Sequence, residues 1–143
     1  MQSDVSTRLT SKLWNRANHF LELADFSLRR GFYDLSCFLA LNAAKLTLVI
    51  LNLVLCNRIP RANSLRHLLS NVTQRSNEDI KRIISEFVKR YRKDITRLES
   101  SGIELILSIE TKNEKQAIYC IDIARNIMDL VCRILKYYGD NLQ

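Results

Sequence analysis

The chain has 143 residues and a mass of 16.7 kDa, the size of one domain, and its 47% hydrophobic and 26% charged residues are those of a folded globule. Three Gly and one Pro cannot supply the turn that a β-sandwich or barrel needs roughly every 8–12 residues, so mostly-β, collagen-like, linker-like and disulfide-framework classes are excluded. The net charge is +7, and residues 58–97 carry all of it with 11 basic and 4 acidic side chains.

Such asymmetry suggests an anionic partner, whether nucleic acid, a nucleotide or an acidic protein surface; the competing reading is a solvated helix face. The two His in the chain leave little room for a His-rich metal site or a His-based triad. The segment from Met1 to Ser11 is polar and lacks the apolar run of a secretory signal.

The apolar residues then recur at helical spacing throughout. In the first helix Leu9, Leu13, Ala17, Phe20, Ala24 and Leu28 form one stripe, Trp14 and Leu21 widen it, and Gly31 suits a C-cap. The second helix runs from near Tyr33 to about Asn57. Its stretch from Leu35 to Cys56 is nearly all apolar, but Asn42, Lys45 and Asn52 interrupt it. A charge near a bilayer centre is costly, so it reads as a buried core helix and no membrane association is expected. Being apolar on almost every side, it must be covered all round. A domain of this size covers one face well, and a second copy is expected on the other, which makes a homodimer.

Pro60 blocks continuation, and a third helix is expected over about Arg61 to Val72. Asn77 is the N-cap expected for the fourth, with Glu78 and Asp79 in its first turn. Its apolar face is Ile80, Ile84, Phe87, Tyr91, Ile95 and Leu98; Arg82, Lys89 and Lys93 fall on the opposite side. Ser100-Ser101-Gly102 reads as a break, and Ile103 to Ile109 as a short extended piece or a helical turn. Asn113 or Thr111 then caps a last helix with core positions Ala117, Ile121, Ala124, Met128, Val131 and Leu135, and Gly139 ends it. The whole, residues 1–143, is expected to be a single all-α domain, an antiparallel bundle of about five helices.

The four cysteines, Cys37, Cys56, Cys120 and Cys132, have no zinc-ligand spacing and lie in apolar helical patterns. They read as buried free thiols in a reducing, cytoplasmic compartment.

The run Gly31-Phe32-Tyr33-Asp34-Leu35-Ser36-Cys37-Phe38-Leu39-Ala40 follows Ala24 and Leu28 of the first helix and continues into Asn42-Ala43-Ala44-Lys45-Leu46. Pro60 and Ser64-Leu65-Arg66-His67-Leu68-Leu69 come next. This order and spacing resembles the HEPN family, small helical domains named for nucleotide binding in higher eukaryotes and prokaryotes. The likeness is good over residues 17–70, weaker over 75–98, and one of helix pattern from 112 on. It implies an antiparallel helical bundle of the nucleotidyltransferase substrate-binding-subunit type, usually a homodimer. It also implies a role beside RNA or nucleotides, either as a ribonuclease toxin of a toxin–antitoxin pair or as the partner of a separately encoded minimal nucleotidyltransferase.

The ribonuclease relatives carry an Arg followed after four to six residues by a His, beside the start of the last core helix. Metal-independent RNA cleavage needs a proton acceptor near the 2′-OH and a cation for the charge on phosphorus. No His follows position 67 here, so Arg92 and Arg97 have none to pair with. Arg61 and His67 meet the spacing but stand too early, around the third helix, and His19 with Arg16 reads as a polar position of the first. The basic set Lys89, Arg90, Arg92, Lys93 and Arg97, with Arg82, is the candidate phosphate-binding surface, thin in aromatic residues because Tyr91 falls on the apolar face. Neither a Gly-rich phosphate loop nor paired metal-ligating acids are seen, so no cofactor or metal is expected. The expectation is therefore a non-catalytic HEPN-type binding module; the alternatives are a ribonuclease with a displaced Arg61/His67 site and a purely structural helix-interaction protein.

Overall fold

The computed structural model describes residues 2–61, 64–103 and 111–140. These form five helices in chain order: α1 (Gln2–Arg29), α2 (Tyr33–Cys56), α3 (Leu65–Arg75), α4 (Glu78–Ile103) and α5 (Glu114–Asp140).

Local chemistry sets most of the helix ends. Gly31 takes φ +78, open to a residue without Cβ, and α1 closes with Phe32 N–H donating to the Ser27 carbonyl and Gly31 N–H to Leu28. The third helix begins at Leu65 rather than near Arg61, because the Ser64 hydroxyl caps it by accepting from His67 N–H at 3.1 Å. The Asn77 carboxamide accepts from Ile80 N–H at 2.9 Å and starts α4. Before α5, Asn113 and Gln116 cap each other, each side-chain oxygen accepting from the other's backbone N–H.

The second helix is the axis of the bundle. It packs on α1 and α5 along its length and on α3 and α4 as well. Its length and composition alone would let it cross a bilayer, yet the other helices enclose it. The all-round apolarity that suggested a second copy over α2 is thus met largely within one chain. Its polar interruptions are used as well. Asn52 is fully buried, donating to the carbonyls of Leu48 and Leu68 and accepting from Asn71 at 2.6 Å, which fastens α3. Lys45 reaches Glu99 of α4 at 3.6 Å, and the other Glu99 oxygen accepts from Leu65 N–H at 2.8 Å. Ser36 donates to the Ala24 carbonyl at 2.9 Å, tying α2 to α1.

Two sequence expectations shift at the ends of α4 and α5. Ser101 and Gly102 are buried in the last turn of α4, which runs one residue past them to Ile103, and Gly102 is the contact that seats α4 against Leu41 of α2. Gly139 is the next-to-last residue of α5, which is described one residue further, to Asp140. The expected extended piece falls mostly on residues 104–110, outside the described residues. Burial of the cysteines also divides: Cys37 and Cys120 are buried, Cys56 is half-buried and Cys132 is exposed.

Candidate phosphate-binding cleft

Two hydroxyls of α5 set the register of α4 and α5. Tyr119 donates to Asp94, and Tyr137 donates to Asp79 at 2.5 Å, so the helices run antiparallel with the C-terminal half of α4 beside the start of α5. The hydrogen bond to Asp79 keeps the Tyr137 hydroxyl above its ordinary pKa, because the phenolate would face that carboxylate. Between these two ties, α4 departs from helical geometry at Tyr91, where neither proline nor glycine stands.

The C-terminal half of α4 borders an open cleft of about 820 Å³. Lys89, Arg90, Arg92, Lys93 and Arg97 line it, with Ser85, Asp94 and Tyr119. The five cations are exposed, and none forms an ion pair among the described residues. The one acid of the lining among the described residues, Asp94, already accepts from Tyr119. Five like charges around one concavity repel each other, and an anion entering it relieves that repulsion.

Five of the six expected binding residues are thereby brought together: Lys89, Arg90, Arg92, Lys93 and Arg97. Arg82 is not among them. It lies seven residues before Lys89, about 10 Å along the axis, and its guanidinium is 2.9 Å from Asp79. Within the cleft the Arg90 guanidinium stands 5.2 Å over the Tyr91 ring. A second aromatic partner comes from α5, where Tyr119 lies under the Arg97 guanidinium at 5.1 Å. Its signal was the pairing of α5 with α4, which periodicity within one helix does not show.

Arg61 and His67 do share a cleft, of about 560 Å³, with Arg58, Pro60, Ser70, Asn71 and others. His67 is exposed, and its Nδ1 lies 2.8 Å from the Ser64 hydroxyl. His19 and Arg16 are exposed on α1. Among the described residues no group of three or more His, Cys, Asp or Glu could hold a metal ion.

The bundle and its sequence pattern define a class. The HEPN domain matches residues 10–135, and the chain belongs to the HEPN family. Two solved structures share the fold. TT1696 from Thermus thermophilus is 21% identical with a TM-score of 0.68, over 87% of this chain and 96% of that one. ST0689, an archaeal HEPN homologue, is 23% identical with a TM-score of 0.62, over 85% of this chain and 93% of that one. No curated protein matches the chain.

Proposed function

We propose that this chain is a non-catalytic HEPN-type binding module that holds a phosphate-bearing ligand, RNA or nucleotide, in the cationic cleft of α4. The observation that carries this reading is the set of five cations around one concavity, without an ion pair among the described residues, whose one acid among them is already engaged by Tyr119. A face that merely kept the protein soluble would gain by mixing both signs, as Arg82 and Asp79 do one turn into the same helix. Family membership supports a separately encoded minimal nucleotidyltransferase as its partner. A homodimer is part of the proposal, resting on exposed Leu23, Phe26, Phe32, Leu35 and Ile118 at one end of the bundle. The test is fluorescence anisotropy of a labelled single-stranded RNA titrated with the full chain at low salt. Saturable binding is expected; its absence overturns the reading.

One observation favours a ribonuclease as the second reading: Arg61 and His67 line the same cleft. RNA cleavage by the purified chain, abolished by His67→Ala with the fold intact, establishes it in place of the first.

A further inference from the structure

We propose that the groove between α4 and α5 beside the cationic cleft holds a nucleobase, so that the site takes a whole nucleotide unit and not a bare phosphate chain. The proposal rests on the reading of the cleft as a phosphate site. The groove is a cavity of about 300 Å³, and Arg90 stands in the wall of both it and the cleft. Phe87 and Tyr91 give it an aromatic side, half-buried, with ring centroids 4.7 Å apart and planes at 39°. The Arg90 guanidinium over Tyr91 adds a second flat surface. Nucleobases stack on both kinds of surface.

The charges of the two cavities divide the labour. Among the described residues the cleft holds five cations and one acid, whereas the groove balances Arg90 and Arg133 against Glu86 and Asp129. A phosphate gains in the cleft and gains nothing beside the two carboxylates. An uncharged base with polar edges fits the balanced groove. Asn126 stands in the groove, and its carboxamide makes no hydrogen bond among the described residues. That group offers one acceptor and one donor side by side, the complement of the adenine amino group and N7.

The experiment compares ATP with inorganic tripolyphosphate by calorimetry on the full chain. ATP is expected to bind about tenfold more tightly, the effect of one stacked base. Asn126→Ala and, separately, Phe87→Leu should bring that ratio toward one, with circular dichroism confirming the helical fold in each. A companion pair, an oligoadenylate and an abasic oligonucleotide of equal length, tells the sources apart. Discrimination between ATP and tripolyphosphate assigns a free nucleotide, and discrimination within the oligonucleotide pair assigns a nucleotide of a strand. Equal affinities in both pairs, or discrimination that neither substitution reduces, overturn the base site and leave the phosphate cleft standing. If no phosphate compound binds at all, the cleft reading falls as well.

Discussion

Gly102 of α4 packs directly on Leu41 of α2: a Cβ at position 102 would stand 2.5 Å from the Leu41 Cβ and Cδ2. This close approach holds the C-terminal end of α4 against the bundle axis. Gly102→Ala gains helix propensity of about 1 kcal/mol, yet the overlap forces the helices apart at a cost of about 1–3 kcal/mol. The net effect expected in urea denaturation is destabilisation. Gly139→Ala is the control, because nothing lies within 4 Å of its added Cβ, and it should be neutral or slightly stabilising.

Glu99 joins three helices through Lys45 and Leu65 N–H. Its carboxylate is largely buried, and the oxygen facing Lys45 makes no hydrogen bond. Glu99→Ala leaves both the Leu65 N–H and the Lys45 ammonium without their partner and should cost about 1–3 kcal/mol. Glu99→Gln keeps an acceptor for Leu65 and should cost less. Equal losses in the two variants would show that the hydrogen bond to α3 contributes nothing.

The cysteines should separate by reactivity. Cys132 is exposed and should react with a thiol reagent in the folded protein, whereas Cys37 and Cys120 should react only on unfolding. The neighbouring Cys120 thiol, and then burial, push the Cys37 thiol up, so it stays protonated when the unfolded thiol ionises. Its contribution to stability is complete below the unfolded pKa of about 8.5 and declines as pH rises above it. The same contact lowers the Cys120 thiol, so the comparison removes both: the melting temperature between pH 7.5 and 10 should fall more steeply in the native sequence than in the double variant Cys37→Ala with Cys120→Ala. The reverse order of slopes would contradict this.

Sedimentation at micromolar concentration should give about twice the 16.7 kDa chain mass. Phe26→Ser with Phe32→Ser should shift it toward the monomer, since both rings are about half exposed at the α1–α2 turn. A monomer in the native sequence, or a dimer indifferent to both changes, removes that face as the interface.

Much of the fold is legible in the chain because its signals are local. The stripe from Leu13 through Ala24, the Asn77 cap, the Gly31 turn and the seam from Ala117 to Val131 each depend on neighbours a few residues away. The features that periodicity misses are set across helices. Ser101-Gly102 looks like a break until Leu41 stands opposite it. Lys45 and Asn52 look like interruptions until Glu99 and Asn71 meet them. In the cleft, Arg82 shares a helix face with Lys89 by angle alone, but its distance along the axis and Asp79 take it elsewhere, and Tyr119 enters from a helix 22 residues beyond Arg97.

The most direct measurement of the phosphate cleft is the salt dependence of RNA binding. Each phosphate neutralised contributes about 0.7 to the log–log slope on a single strand. Changing Lys89, Lys93 and Arg97 together to Gln should therefore lower the slope by about two. Stability should hardly move, because these side chains are exposed. Arg82→Gln, outside the cleft and paired with Asp79, should leave the slope within error. A slope that ignores the triple change, or that falls as much with Arg82→Gln, would show that the cleft is a solvated surface and not the place where phosphates are held.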